Sequence, residues 1–524
     1  MMHLGIDYGT ANTRVSLYDG TRIPFPLIIG HAVASSTLMP STCWVNPSGD
    51  ILVGEQTLSR PDRLKFVKRY WQARPEDEDN PDNPWRKGKM TRGGKVFTCE
   101  QMAERVISEA IARAFGAAGG EAKEGFSANI VCPASFDLGC RHVLARILCD
   151  QGARSVTIGN VIDEPLAAAV LYGKVATTPP VNQDLLVFDA GAGTTDAAIV
   201  RYHEQGEWKR ITVLAEQGIC WAGSDLDLAV QDLVIRRIGA LMEIDSREQI
   251  YSAYGMDSDV GKLNFEDECE QIKIALSTSP SYRWAKPNFM GRQLLTFDIT
   301  REEFRQCARN VLSEMGALIK SLLREASSFV EDFDGIDLAL LVGGTSKLPM
   351  VRDIVTTAYP RMVIHQDEVY FDEMTATVRG IGFTKDFGDL VIKRPPYTIQ
   401  VRVTLDDGSV VPNTIHQAFD KAYDWWRTFQ TANPYKEVTL DFERPVDTLE
   451  LLFISPSGHR QAADLSPGQF RGDRKIIVRL NVRASLSLNS YTIQMPYFTQ
   501  VGLKPPQTFD PKRLNAPDVY PDDN

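Results

Sequence analysis

Residues 185–196 read Leu185-Leu186-Val187-Phe188-Asp189-Ala190-Gly191-Ala192-Gly193-Thr194-Thr195-Asp196, an apolar run that ends in a glycine-rich turn. This pattern predicts a buried strand, a tight turn and the start of a second strand. Glycine lets backbone N–H groups approach an anion closely, and several oriented amides form a nest that binds phosphate. The stretch therefore predicts a phosphate-binding hairpin.

A related turn lies near the N-terminus, where Asp7-Tyr8-Gly9-Thr10 follows an apolar strand and precedes another. Alone, this tetrapeptide fits an ordinary β-turn better than a phosphate site, because so short a pattern recurs by chance. A third stretch, residues 340–349, runs from an apolar strand through Gly343 and Gly344 into a predicted helix. Three such turns at these separations predict two duplicated lobes around one bound nucleotide.

Three carboxylates accompany the two hairpins, namely Asp7, Asp189 and Asp196. Magnesium takes oxygen ligands and usually keeps several waters. The carboxylates therefore predict a hydrated Mg²⁺ held against phosphates, without direct ligation by all three.

Composition restricts the class of protein. The chain has 524 residues, 43% of them apolar, and a formal charge of −11. This length predicts several domains, and the negative charge argues against sequence-independent nucleic-acid binding. Eight cysteines occur without a CxxC pair, which indicates neither a zinc site nor a disulfide framework. No signal peptide or membrane span is evident, so a cytoplasmic location is expected.

The chain changes character near residue 390. Up to about 385, strands alternate with helical patterns, as at Thr98 and Gln101, which predict a capping box. Residues 75–94 predict an exposed loop, and Asp257 to Asp259 a junction between two helices. After Pro395-Pro396, period-two alternation and the Asp407-Gly408 turn predict an antiparallel β-domain. The predicted domains are lobe I (1–183), lobe II (184–385), a linker (386–396), a sandwich-like β-domain (397–503) and a flexible tail (504–524).

Two features near the β-domain leave alternatives open. Residues 389–392 (Asp-Leu-Val-Ile) fit an interdomain linker, a plain strand or a tether. The aromatic cluster of Tyr423, Trp425, Trp426 and Phe429 fits either a hydrophobic core or a surface for a partner's apolar segment.

Together with further segments, these turns make the chain resemble DnaK-type (seventy-kilodalton) heat-shock proteins of the actin-like ATPase superfamily. The resemblance covers residues 3–385. It includes residues 66–69 (Phe-Val-Lys-Arg), residues 131–136 (Val-Cys-Pro-Ala-Ser-Phe) and residues 162–169 (Ile-Asp-Glu-Pro-Leu-Ala-Ala-Ala). Pro165 also suits the first turn of a helix. The resemblance implies a duplicated actin-like (ribonuclease H-like) α/β fold of two lobes.

The resemblance also implies roles for individual residues. Lys68 would orient the attacking water and stabilise charge on the γ-phosphate, with Glu164 nearby, since phosphoryl transfer needs mainly positioning and electrostatics. Asp189 and Thr194 complete the implied catalytic set. Glu270, Lys273 and Ser277 match the ribose and adenine contacts. The other implied contacts to ATP or ADP are Asp7, Gly9, Thr10, Ala11, Asn12, Gly191, Ala192, Gly193, Thr195, Gly223, Ser224, Gly343, Gly344, Thr345, Lys347 and Asp372.

The sequence departs from the family at several of these positions. Ile274 and Lys347 stand where the family usually has arginines that flank adenine, and Ala192 replaces a glycine. Trp221-Ala222-Gly223-Ser224-Asp225 replaces a segment with Gly-Gly-Glu-Asp. Lysine does not stack on a base as arginine does, so we expect an altered adenine contact.

The leading functional hypothesis is a slow, DnaK-like ATPase that acts on a protein client, with J-domain or nucleotide-exchange proteins as implied partners. Three other functions are open to a chain with this sequence: an actin-like filament protein, a sugar or acetate kinase of the same superfamily, and a nucleotide-sensing adaptor with little turnover.

Overall fold

The computed structural model describes most of the first 383 residues and parts of the remainder. The described ranges are 2–20, 23–30, 36–60, 62–72, 89–92, 94–119, 125–136, 138–153, 161–175, 183–205, 208–329, 333–365, 371–383, 391–392, 398–416, 435–454, 460–464, 471–481, 485–488 and 491–494. No helix within these ranges is long and apolar enough to cross a membrane. All eight cysteines are free thiols.

The first part of the chain forms one six-stranded sheet, two sheets of two strands each and several helices. Its strands are β1 (His3–Tyr8), β2 (Asn12–Tyr18), β3 (Phe25–Pro26), β4 (Met39–Pro40), β5 (Cys43–Val45), β6 (Ile51–Val53), β7 (Lys89–Arg92), β8 (Lys95–Thr98), β9 (Ser127–Cys132) and β10 (Val161–Asp163). Its helices are α1 (Cys99–Ala117), α2 (Leu138–Asp150) and α3 (Glu164–Val175), with 3₁₀ helices over Gly54–Thr57 and Val67–Gln72. The first sheet has the order β10-β9-β1-β2-β3, with β4 also paired to β2.

The next part supplies five strands of a second six-stranded sheet, one sheet of two strands and several helices. Its strands are β11 (Asp184–Ala190), β12 (Thr195–Gln205), β13 (Trp208–Ile219), β14 (Ser281–Phe289), β15 (Arg292–Thr300), β16 (Leu338–Val342) and β17 (Val363–Ile364). Its helices are α4 (Gly223–Met242), α5 (Arg247–Tyr254), α6 (Asp259–Thr278), α7 (Arg301–Cys307), α8 (Arg309–Phe329), α9 (Pro349–Ala358) and α10 (Ala376–Ile381), with a 3₁₀ helix over Gly344–Lys347.

The two six-stranded sheets share the order and directions of five strands, and their sixth strands are placed differently. The second sheet has the order β17-β16-β11-β12-β13-β18, where β18 is Val391–Ile392. In each sheet an antiparallel hairpin, β1–β2 or β11–β12, lies beside a parallel strand, β9 or β16. The two hairpins predicted from the glycine turns are therefore confirmed, and they occupy equivalent places in the two sheets.

Two helices cross between the sheets. The apolar side of α3 is buried in one cluster with Leu185, Val187 and Leu340 of the second sheet. Helix α10 packs on α3 and lies against β1, β2 and β9 of the first sheet. Each helix therefore packs on the sheet built by the other part of the chain.

Local predictions outside the hairpins are mostly confirmed. Thr98 accepts from the Gln101 N–H and the Gln101 side chain accepts from the Thr98 N–H, which is the predicted capping box. Asp257 lies in the junction between α5 and α6. Helix α3 begins at Glu164, so Pro165 is its second residue.

The prediction of a loop over residues 75–94 is wrong for its last part. Lys89–Arg92 is a strand that pairs with Lys95–Thr98, and Gly94 takes a positive φ of 78° at the turn. Lys89 and Gly94 therefore belong to a hairpin rather than to an open loop. Residues 73–88 lie outside the described residues.

The C-terminal part contains two antiparallel sheets of four strands. The strands are β19 (Thr398–Leu405), β20 (Val410–His416), β21 (Tyr435–Asp441), β22 (Val446–Ile454), β23 (Arg460–Asp464), β24 (Lys475–Asn481), β25 (Ser485–Leu488) and β26 (Tyr491–Gln494). Their orders are β20-β19-β22-β23 and β21-β24-β25-β26. The predicted hairpin at Asp407-Gly408 is confirmed, while the sandwich stays a prediction. The aromatic cluster at 423–429 and the tail from 504 lie outside the described residues.

Candidate functional site

The tips of the two equivalent hairpins touch. A Cβ added at Gly193 in the second hairpin would lie 2.4 Å from Thr10 Oγ1 in the first. Only glycine allows this approach, because any larger residue would push the hairpins apart. The sheets therefore bring their turns together at one place.

The third turn closes against the second hairpin. Gly343 has a φ of 81°, and a Cβ there would lie 2.4 Å from the Ala190 carbonyl oxygen. Thr345 Oγ1 donates to the Gly191 carbonyl at 2.8 Å. The strained conformation and the close contact explain why the sequence has glycine after β16.

A cavity of ≈ 360 Å³ lies among the three turns. The four residues with implied catalytic roles, Lys68, Glu164, Asp189 and Thr194, all line it. The other implied contacts that line it are Asp7, Gly9, Thr10, Ala11, Asn12, Gly191, Ala192, Gly193, Glu270, Lys273, Ser277, Gly343, Gly344, Thr345 and Lys347.

Five residues named from the sequence are not among those that line the cavity. Gly223 and Ser224, at the start of α4, donate backbone N–H groups to the Gly191 and Ala192 carbonyls. Thr195 Oγ1 donates to the Trp221 carbonyl. Asp196 is fully buried, and Asp372 accepts from the Met374 N–H before α10. Gly223, Ser224 and Thr195 therefore hold the turn of the second hairpin through hydrogen bonds, without lining the cavity.

The cavity also has lining residues that the sequence analysis did not name. They are Arg14, Val342, Leu348, Glu373, Met374 and Thr377. Arg14 had a signal, because a hairpin that turns just after Gly9 brings the start of the second strand close to Asp7, and the structure pairs Arg14 with Asp7. Thr377 had none, because α10 reaches the site only through tertiary packing.

Lys68 is the buried cation of the site. Its Nζ donates to Glu164 Oε1 at 2.6 Å and lies 5.7 Å from the centre of the Tyr8 ring. Burial alone would lower the pKa of Lys68, but Glu164 and Asp7 outweigh that effect and raise it. Lys68 therefore stays protonated and fixed in direction.

Burial makes the charged forms of three carboxylates at or near the site unfavourable. Burial raises the pKa of Asp7 to about 6, against the opposing effect of Arg14, which lies 3.8 Å away. Burial, with the charge of Glu164, also raises the pKa values of Asp189 and Asp196 well above the usual range. Such a cluster favours a bound cation.

Asp196 has one satisfied and one unsatisfied oxygen. Its Oδ1 accepts from the Ala134 N–H at 2.7 Å, whereas Oδ2 is buried without a hydrogen-bond partner among the described residues. No group of three or more His, Cys, Asp or Glu side chains in the described ranges would hold a metal ion directly. The site therefore fits a hydrated ion shared with an anionic ligand better than a cage of protein ligands.

The opposite wall of the cavity belongs to α6. Lys273 Nζ donates to the Gly223 carbonyl at 3.1 Å and to Asp227 Oδ2 at 2.9 Å. Ser277 Oγ donates to the Ile274 carbonyl at 2.6 Å. Ile274 is 51% exposed, so an aliphatic side chain is presented to the cavity at this position.

The segment that carries Lys68 is tied to the second part of the chain. Arg69 donates to Ser224 Oγ at 2.6 Å and to Asp225 Oδ1 at 2.8 Å, and all three side chains are buried. Lys65 Nζ lies 2.8 Å from Asp267 Oδ1 and 3.3 Å from Glu270 Oε2. These contacts fix Lys68 relative to α4 and α6.

A family model described as Hsp70 protein matches residues 78–380, which is more than half of the chain. The chain belongs to the Hsp70 family. Members of the Hsp70 family are ATPases with an actin-like fold of two lobes, and they generally work with client proteins and co-chaperones. The family resemblance inferred from the glycine turns is therefore confirmed.

The Hsp70 match begins after the first hairpin and after Lys68. Asp7, Thr10 and Lys68 are connected to the matched part by geometry, since they line one cavity with Glu164, Asp189 and Gly343. The order and directions shared by five strands of the two six-stranded sheets fit the two-lobe fold of this family.

Proposed function

We propose that this Hsp70-family chain binds ATP with Mg²⁺ in the cavity among the three turns and hydrolyses it slowly. The observation that carries the proposal is the buried Lys68–Glu164 pair beside the glycine turns of both hairpins. Phosphoryl transfer requires mainly positioning and stabilisation of the phosphate charge, and a lysine beside backbone amides of glycine turns can supply both.

In this proposal, different residues of the site bind the phosphates, stabilise their charge and position the attacking water. The turns at Gly9 and Gly193 hold the phosphates through backbone amides, and the hydroxyls of Thr10 and Thr194 donate toward them. Lys68 stabilises charge on the transferred phosphoryl group and orients the attacking water, while Glu164 holds the Lys68 ammonium in place. Mg²⁺, when bound, would neutralise phosphate charge near Asp7, Asp189 and Asp196.

The nucleoside lies along α6 in this proposal. Glu270 and Lys273 line the part of the cavity where the ribose would bind, and Ser277 with Gly344 lines the base subsite. Ile274 gives this subsite an apolar wall. Lys347 stands where the family usually has a second arginine that flanks adenine. Thr195, Gly223, Ser224 and Asp372 support these positions without lining the cavity.

The change in nucleotide state would reach a protein partner through the C-terminal part. Val391–Ile392 adds a parallel strand to the exposed edge of β13, in register with Ile211 and Thr212. Lobes I and II (1–183 and 184–385), linker 386–396 and β-domain 397–503 are the units that we propose. A cytoplasmic client protein, assisted by J-domain or exchange proteins, fits this arrangement, and no nucleic acid or membrane is proposed as a partner.

A single-turnover measurement tests the proposal. Lys68→Met keeps the length of the side chain but removes its charge, so we expect hydrolysis of bound ATP to slow by about a hundredfold. Lys95→Met is the matched control, because Lys95 is exposed, donates to the Ser48 carbonyl and does not line the cavity. Equal rates for Lys68→Met and wild type would exclude the assigned role of Lys68.

A second candidate is a nucleotide sensor with little turnover. The exposed Ile274 favours it, because an aliphatic side chain holds a base less firmly than a stacked guanidinium. In the same assay, a wild-type protein that binds ATP and releases no phosphate would favour the sensor. ATP-dependent polymers in light scattering would instead favour the filament alternative.

A further inference from the structure

We propose that Thr377 is a positioning residue, which holds the Asp189 carboxylate in the orientation that Mg²⁺ and phosphate require. The inference rests on the proposed function. Thr377 Oγ1 donates to Asp189 Oδ2 at 3.1 Å, and both residues are only 6% exposed. This hydroxyl lines the cavity together with Asp189.

The other side of Asp189 is restrained as well. A Cβ added at Gly343 would lie 2.6 Å from Asp189 Oδ1, so the turn after β16 packs directly against this oxygen. The carboxylate is therefore held between a backbone turn and a hydroxyl. Loss of the hydroxyl would free the carboxylate to rotate on the side that faces α10.

Thr377 is itself held by the first sheet. It is the second residue of α10, and the carbonyls of this helix accept side-chain donors from that sheet. Ser16 Oγ donates to the Val378 carbonyl at 2.5 Å, and Asn129 Nδ2 donates to the Ile381 carbonyl at 3.2 Å. Gly380 lies directly against Ala167 of α3.

The Thr377–Asp189 hydrogen bond thus joins a helix anchored on the first sheet to a carboxylate on the second. Movement of one sheet relative to the other would change this bond at the site itself. Thr377 therefore makes the orientation of Asp189 depend on how the two lobes are arranged.

Calorimetric binding of ADP to the full-length protein, with Mg²⁺ and with EDTA, tests this inference. We expect Thr377→Val to reduce the gain in ADP affinity that Mg²⁺ provides by about tenfold, the usual effect of one hydrogen bond to a charged group. Affinity for ADP in EDTA should not change. Thr377→Ser keeps the hydroxyl and should restore the Mg²⁺-dependent gain.

Thr212→Val is the matched control. Thr212 is buried, and its hydroxyl has no hydrogen-bond partner among the described residues, so the gain should equal that of wild type. An unchanged gain in Thr377→Val, or an equal loss of affinity in EDTA, would overturn the positioning role alone. A wild-type protein that binds no ADP, or gains nothing from Mg²⁺, would overturn the proposed function together with it.

Discussion

At the scale of one residue, burial makes the charged form of Asp7 unfavourable. Burial raises its pKa from the ordinary value of 3.8 to about 6. Between these pH values the folded protein binds more protons than the unfolded chain, so the free energy of unfolding falls as the pH rises. Asp189 and Asp196 shift in the same direction.

We therefore predict that the unliganded protein loses stability between about pH 4 and pH 6. In urea unfolding over this range, Asp7→Asn should reduce the loss by on the order of 2 kcal/mol. Asp50→Asn is the control, because hydrogen bonds from Asn46 and Ser48 lower the pKa of Asp50. A slope that Asp7→Asn leaves unchanged would contradict the prediction.

Residues of the site differ in how well the sequence predicts them. Gly9, Gly191 and Gly343 could be predicted because a glycine turn after an apolar strand is a local pattern. Arg14 was within reach, since the register of a two-stranded hairpin follows from its turn. Thr377 was not, because it is nearly two hundred residues from Asp189 in sequence.

At the scale of elements, Arg69 joins the 3₁₀ helix Val67–Gln72 to α4. Its guanidinium bonds to Ser224 and Asp225, and Asp225 also accepts from the Ala222 N–H at the start of α4. Removal of the cation would take the Arg69 guanidinium away from the buried Asp225 carboxylate. A buried charge left in this way is strongly destabilising.

We predict that Arg69→Met lowers the free energy of unfolding by about 3 kcal/mol. Arg247→Met should cost below about 1 kcal/mol, because the Arg247–Asp232 pair is half exposed. Thermal unfolding of both variants beside wild type measures the difference. Equal losses would show that the contact of Arg69 with α4 contributes little.

Elements with a local signal could be predicted from the sequence. The capping box at Thr98, the hairpin at Asp407-Gly408 and the strand before Gly343 all depend on neighbours within a few residues. Strand β7 lies inside the predicted loop 75–94, because residues typical of turns surround a strand of only four residues. The pairing of Val391–Ile392 with β13 depends on contacts distant in sequence, so three alternatives remained open for this segment.

At the scale of the whole molecule, β18 connects the nucleotide-binding part to the C-terminal sheets. The strand is only two residues long and pairs at the edge of the second sheet. A short edge strand is held by few hydrogen bonds and opens at low cost. Under the proposed function, such a strand suits a link that responds to the bound nucleotide.

We predict that the double substitution Val391→Pro and Ile392→Pro detaches this strand, because proline has no backbone N–H. Hydrogen exchange should become about tenfold faster at whichever of Ile211 and Thr212 donates its N–H to β18, because successive N–H groups of a strand face opposite neighbours. Val391→Thr with Ile392→Thr keeps both N–H groups and serves as the control. Unchanged exchange in the proline variant would contradict the link.

The crossing of α3 and α10 affects how the chain can be divided. Each helix is encoded in one half of the nucleotide-binding part and completes the core of the other half. A fragment that ends near residue 183 would expose the apolar side of α3, and the remaining fragment would lack that helix. We expect neither piece to fold as it does in the full chain, because each would lack a helix that covers its sheet.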